Sequence, residues 1–407
     1  MGIFYPVSSN NSKNPNKRII LDMVRFTPGG ISRAELARQI GLTRSAVSTI
    51  VNEAIADGLV RESESGPATG GRRPTLLEIN PQKGNVIGID MGATHLGVAV
   101  ADFAGHVLDE VESAFNVEEE PQVCLDQIQQ RVREILSKAG IRPDQILAIG
   151  MGVPGPVMAE AGLVSSPPIM PGWDNYPIRE QLRKFWQVPV TVNNDAELGA
   201  LGEWAFGAAR GEQNLAYIKV GSGVGAGLLL DGRIFRGATG CAGEIGHITV
   251  LDGGPRCSCG NSGCLEALSG GKAIARRARE AISAGKRTQL SQIIPPESIT
   301  ARDVANAARY GDLVSQQIVA EAGAYLGIAV AGLVNLFNPN VIVVGGGVAQ
   351  MGDLLLEPIR RSVQGRSLPS AARAVRILAA VLGRRSTTMG AVVQALSLAM
   401  DSILDKN

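Results

Sequence analysis

Between Glu244 and Glu266 the chain places His247, Cys257, Cys259 and Cys264 within eighteen residues of Gly-rich sequence. Thiolate and imidazole are soft-to-borderline ligands, and four of them make a closed tetrahedral zinc site with no position left for water. Glycines between the cysteines let the backbone turn tightly enough for three sulfurs to face one ion. Disulfides are the alternative use of such residues. The chain has only five Cys, with Cys124 and Cys241 outside the cluster, and a Cys-x-Cys pair bridges badly. The spacing therefore predicts a structural Zn2+ on His247, Cys257, Cys259 and Cys264. Glu244 and Glu266 flank it, so the loop at 244–266 is expected to offer carboxylates to a polar small molecule.

A length of 407 residues allows two or three domains with ample core. The first residues lack the basic-then-apolar profile of a secretory signal, and the apolar run 326–337 stops at Asn338-Pro339, too short to cross a bilayer. A cytoplasmic protein with reduced cysteines and no membrane insertion is the expectation. Charge is nearly balanced, at 39 Lys and Arg against 38 Asp and Glu. The first 80 residues carry ten against seven, an excess that suits contact with nucleic acid at the front of the chain.

That front has its own pattern. Ile19, Ile20, Met23 and Val24 recur at helical spacing. Ser32 and Glu35 form a capping-box signature for a second helix, which Gly41 ends, and Thr43 caps a third with Val47, Ile50, Val51, Ala54 and Ile55 inward. Two helices joined by a short Gly-containing turn read as helix-turn-helix. Arg44, Ser45, Ser48 and Asn52 are the residues such a recognition helix offers to base edges. Short strands at 59–62 and 75–79 enclose a loop with Arg72 and Arg73, the tip of a wing suited to a minor groove. A small protein-interaction domain would use the same three helices and hairpin. The caps, the turn length and the basic wing favour double-stranded DNA.

From residue 85 two apolar hairpins with Gly-rich turns, 86–102 and 215–231, share one pattern, as one half-domain used twice would. Their turns, with a third Gly cluster at 345–347 after a strand, are the kind that bring backbone amides to an anion. Helices are expected at 123–139, 178–186, 196–205, 271–283, 301–309, 313–335 and 387–404. Alternation with strands argues an α/β fold with helices on both sheet faces. Gly150 to Pro156 reads as a rigid turn. Asn194 and Asp195 fall where a strand meets a helix, so Asp195 is either a general base or a helix cap.

The motifs Asp90-Met-Gly-Ala-Thr94, Gly152-Val-Pro-Gly-Pro156, Asn194-Asp195-Ala196, Gly221-Ser-Gly223, Glu244-Ile-Gly-His247 and Cys257-Ser-Cys-Gly-Asn-Ser-Gly-Cys264-Leu-Glu266 together resemble the ROK family of repressors and sugar kinases. The winged front ending in Gly-Arg-Arg-Pro resembles its transcriptional-repressor branch. The resemblance implies a winged helix-turn-helix domain over 1–80. An actin-like sugar-kinase domain of two lobes follows over 81–407, with the ligand in the cleft. It implies Asn194, Asp195, Glu244, His247 and Glu266 around a sugar, and His247 between sugar and zinc neighbourhoods. The family's nucleotide turns correspond to Asp90, Gly92 and Thr94, to Gly221, Ser222 and Gly223, and to Gly345 and Gly346. Family kinases carry Gly-Gly-Thr-Lys or similar in the first turn, and here Ala93 and His95 stand instead.

Two functions follow from this reading. The first is a sugar-responsive DNA-binding regulator, a homodimer or homotetramer that binds operator DNA and a sugar or sugar-phosphate effector. The second is an ATP-dependent hexose or N-acetylhexosamine kinase with Mg2+ on the phosphates and Asp195 as base.

Overall fold

The computed structural model describes residues 14–405 apart from 64–74, 166, 168 and 294. The winged helix is built from α1 (Pro15–Phe26), β1 (Ile31–Ser32), α2 (Arg33–Ile40), α3 (Arg44–Ala56), β2 (Val60–Ser63) and β3 (Leu76–Ile79). The strands lie in the order β1-β3-β2, antiparallel throughout. Gly41 ends α2 in the left-handed conformation that favours glycine, and the Thr43 hydroxyl accepts the Ala46 amide at the start of α3. The capping box is only half made. Ser32 accepts the Glu35 amide at 3.2 Å, while the Glu35 carboxylate turns to Arg38 and Gln39, because Ser32 itself belongs to β1. Arg72 and Arg73, the expected wing tip, lie outside the described residues.

The first lobe follows as β4 (Asn85–Met91), β5 (His95–Asp102), β6 (Val107–Ala114), α4 (Pro121–Ala139), β7 (Ile146–Val153), the small hairpin β8 (Val157–Met158) and β9 (Leu163–Val164), α5 (Ile178–Trp186), β10 (Val190–Asn194) and α6 (Asp195–Phe206). The second lobe is β11 (Leu215–Val220), β12 (Val224–Leu230), β13 (Arg233–Ile234), α7 (Leu265–Ser269), α8 (Gly271–Ser283), α9 (Ala301–Arg309), α10 (Leu313–Phe337), β14 (Val341–Gly345), α11 (Asp353–Arg366), α12 (Pro369–Ala374) and β15 (Arg376–Ala379), after which α13 (Ser386–Leu404) returns to the first lobe's sheet. Among the described residues each lobe has a five-stranded sheet, β10-β7-β4-β5-β6 in the first and β13-β12-β11-β14-β15 in the second. In both, an antiparallel hairpin adjoins parallel strands, which is the repeated pattern of the sequence.

Two readings of the sequence need correction. The stretch expected as a turn at Gly150–Pro156 is strand as far as Val153, because Gly150 and Gly152 face helices and not solvent. A Cβ on Gly150 would meet the Ala391 carbonyl at 2.1 Å. The apolar run at 326–337 is the second half of the 25-residue α10. It and 383–404 are helices long and apolar enough to cross a membrane, yet 61% and 67% of their most apolar windows are buried inside the protein.

The last helix is where the lobes and the winged helix meet. α13 packs against β4 and β7 at Gly88 and Gly150, and against α6 at Gly202 and Gly390, where a Cβ would strike backbone atoms at 1.7–2.6 Å. Only glycine permits backbones to come so close. Its far end lies in one apolar core with α1 and α3: Ile20, Val24, Val51, Leu396 and Met400 belong to the same buried cluster.

Candidate functional site

Between the lobes lies a cavity of about 730 Å³. Asn194, Asp195, Glu244, His247 and Glu266, from three separate stretches of chain, all line it. Each is held there by a local cause. The Asn194 side chain accepts the Ala196 and Glu197 amides and donates to the Gly155 carbonyl at 3.0 Å, so the helix cap of α6 is Asn194 and not Asp195. That leaves the Asp195 carboxylate facing the cavity at the first turn of α6. The Glu266 carboxylate accepts the Val224 amide at 3.0 Å and the Ser258 hydroxyl at 3.3 Å. It lies against Gly223, where a Cβ would come within 2.2 Å of it and push the carboxylate aside. Burial pushes Glu244 above the usual carboxylate range, and the nearby Asp195 and Glu266 carboxylates add to this against the pull of His247. Three carboxylates converging on one polar cavity suit a neutral polyol, whose hydroxyls donate to them.

Beside this floor the ligand atoms of His247, Cys257, Cys259 and Cys264 all lie within 4.8 Å of one another. Cys259 and Cys264 sulfurs are 3.7 Å apart, as are Cys257 Sγ and His247 Nδ1. A tetrahedron with zinc–sulfur arms of ~2.3 Å has edges of roughly 3.8 Å, so the donor set fits that ion in chemistry and in size. Burial pushes the Cys264 thiol up to about 12, with Cys259 beside it adding to the effect. A cation is what lets neighbouring thiolates coexist. His247 turns Nδ1 to this group and Nε2 towards Glu244 at 3.9 Å.

The glycine turns reach the same cavity. Asp90, Gly92, Thr94, Gly221, Ser222, Gly223, Gly346 and Gly347 line it, whereas Gly345 is the last residue of β14 and packs on Tyr217. The first turn is covered: the His95 ring lies across Gly92, within 2.1 Å of where a Cβ would sit, and its Nε2 is 3.2 Å from Asp90 Oδ2.

Sequence reasoning missed Lys219. From β11 its ammonium donates to Asp195 Oδ2 at 2.8 Å and to Thr387 Oγ1 at 3.2 Å, and it lies 3.7 Å from Asp90 Oδ1. Burial alone would lower its pKa, but Asp195 and Asp90 together hold it above the ordinary lysine value. Burial would likewise raise Asp90, and Lys219 and His95 hold it below its ordinary value instead. The signal in the sequence was slight: one charge in the otherwise apolar strand Leu215-Ala-Tyr-Ile-Lys-Val220.

On the winged helix, Arg44, Ser45 and Asn52 are exposed along α3 and Ser48 is half-buried. Asn52 Oδ1 accepts from Arg33 at 2.9 Å, and Arg33 also reaches Glu62 on β2 at 2.8 Å.

Comparison with known proteins adds to this. The ROK family pattern matches residues 86–397, and that of the MarR family matches 14–70. A xylose repressor of Caldicellulosiruptor bescii is 34% identical over 385 residues, 95% of this chain and 96% of that one. A glucokinase of Halalkalibacterium halodurans is 36% identical over 306 residues, 75% of this chain and 92% of that one. The crystal structure of a ROK family transcriptional regulator, a homolog of the Escherichia coli MLC protein, superposes with a TM-score of 0.79. It is 28% identical, and the match covers 95% of this chain and 96% of that one.

Proposed function

This chain belongs to the ROK family, and from that premise we propose that it is a sugar-responsive DNA-binding transcriptional regulator of the repressor type. One observation carries the proposal: a single helix runs from the cleft to the winged helix. At its start, the Thr387 hydroxyl donates to the Asp195 carbonyl at 3.0 Å and accepts from Lys219. Ten and fourteen residues on, about 15 and 21 Å at helical rise, Ser397 and Asp401 hold Arg18 of α1, which also pairs with Asp22 at 2.9 Å. The neighbouring Lys17 then reaches Asp57 at 2.9 Å and Glu53 at 3.5 Å, at the end of α3. A ligand that moves Asp195 or Thr387 thus bears on the recognition helix through the body of α13 and the ion pairs of α1 at its far end.

In this reading Asp195, Glu244 and Glu266 accept hydroxyls of a sugar or sugar phosphate, and Asn194 and His247 border them. Zn2+ on His247, Cys257, Cys259 and Cys264 supplies a fixed loop geometry when bound. Arg44, Ser45, Ser48 and Asn52, with the wing arginines Arg72 and Arg73, contact operator DNA. A homodimer or homotetramer sets two such helices about one DNA turn apart. The division at 80/81 gives each part its task, and sugar releases repression.

The kinase alternative needs Asp195 free to take a hydroxyl proton and an open first glycine turn. Lys219 on Asp195 and His95 across Gly92 support binding over turnover. The test is an ADP-release assay over pentoses, hexoses and N-acetylhexosamines beside a thermal-shift screen of the same panel. The expected result is a raised melting temperature with at least one sugar and turnover with none. Turnover abolished by Asp195→Asn would establish the kinase instead.

A further inference from the structure

Two carboxylates face one point in the cleft, and the chain itself puts a cation there. Asp90 is 1% exposed, and among the described residues no hydrogen bond reaches its Oδ1, which points at Lys219 from 3.7 Å. Asp195 Oδ2 meets the same ammonium at 2.8 Å. On the neighbouring strands, Lys219 is paired with Gly225 on β12 and Gly345 on β14. Oxygen ligands of this type, spaced around one centre, are what a hard divalent ion takes, usually with several waters retained. An ammonium fixed by two carboxylates and a threonine hydroxyl leaves neither the charge nor the space for it.

We propose that Lys219 is a built-in cation that takes the place of an external divalent ion in this cleft and fixes Asp195 as a hydroxyl acceptor, so that carbohydrate is bound without metal or nucleotide. The second half of this proposal rests on the carbohydrate reading given above; the exclusion of the ion does not. Lys219 is thus a positioning residue. It aims the Asp195 carboxylate, and through Thr387 it ties that carboxylate to the start of α13. His95 acts with it from the other side of Asp90, lying across the turn where an anion carried by a metal would approach.

The experiment uses the full-length zinc-loaded protein and MnCl2, with free Mn2+ read by electron paramagnetic resonance and melting temperature followed alongside. Wild type and Lys219→Arg are expected to take up no Mn2+ at millimolar concentration. Lys219→Met is expected to bind one equivalent at least tenfold more tightly than wild type, to melt higher as Mn2+ is added, and to lose both responses when Asp195→Asn is combined with it. Lys219→Gln, which keeps a hydrogen bond towards Thr387, serves if the Met variant does not fold. Uptake by the folded neutral variants no better than by wild type would overturn the proposal, as would Asp195-dependent uptake by wild type itself. In the sugar arm, Lys219→Met should weaken binding of any sugar that stabilises wild type at least tenfold; unchanged binding would overturn the positioning role. A wild type that binds no sugar would sink the carbohydrate reading and leave the Mn2+ result to decide the exclusion.

Discussion

At the scale of single residues, the cleft is a set of buried charges that stand only because they face one another. Removing one partner of a buried pair costs about 3–5 kcal/mol, since the other charge is left without compensation. Asp90→Asn is expected to destabilise the protein by less than that amount at pH 7 in urea titrations, because Lys219 keeps its closer partner Asp195 at 2.8 Å. The pH dependence follows from the direction of the shift. Asp90 is held below its ordinary value, so the folded state binds fewer protons than the unfolded state between the two values. Stability from this group is present above the ordinary carboxylate range and disappears as pH falls through the folded value. The gap between wild type and Asp90→Asn should narrow on the acid side; a gap constant with pH would show that folding leaves the Asp90 pKa unshifted, and a gap that widens on the acid side would show that Asp90 is neutral in the folded protein. Among the carboxylates of the floor, Glu266→Gln is expected to weaken sugar binding by roughly tenfold or more in calorimetry, a charge-assisted hydrogen bond contributing ~1.5–3 kcal/mol. It should leave operator affinity without sugar unchanged.

At the scale of elements, α13 ties the parts together, and it does so through glycines. Gly390 lies 1.7 Å, measured from the position of an added Cβ, from the Leu198 carbonyl of α6. Since backbone cannot yield as a side chain can, Gly390→Ala should cost at least the ~1–3 kcal/mol typical of overpacking, read as a lowered urea midpoint. Asp401→Asn is the sharper probe. It loosens the hold of α13 on Arg18 and lies far from the cleft, so sugar affinity should survive while the effect of sugar on DNA binding shrinks. The sequence announces elements of this kind well when their cause is local. Gly41 and Thr43 mark the end of α2 and the start of α3, and the hairpins with Gly-rich turns at 86–102 and 215–231 mark the halves of the fold. It announces them badly when the cause is distant. Gly150 and Gly152 look like turn glycines, yet they sit in a strand because a helix some 240 residues later needs their surface. Lys219 has its partners 24, 129 and 168 residues away, and no spacing rule connects them. The thiol cluster was legible for the opposite reason, its four donors lying in one short loop.

For the whole molecule, the proposed function makes metal, cleft and DNA-binding head one line of dependence. Metal analysis of the purified protein should find one equivalent of zinc. Cys259→Ser should remove it and abolish sugar binding, while the winged helix, whose contacts to α13 lie far from the thiols, keeps its affinity for DNA. The most direct measurement is fluorescence anisotropy of a DNA duplex, selected by the full-length protein from a random pool, titrated with and without a sugar shown by calorimetry to bind. The account predicts that sugar changes the dissociation constant five- to 150-fold, the span of ~1–3 kcal/mol of coupling, and that Asp401→Asn reduces this change without altering sugar binding. An operator affinity that stays the same when the cleft is demonstrably filled would contradict it.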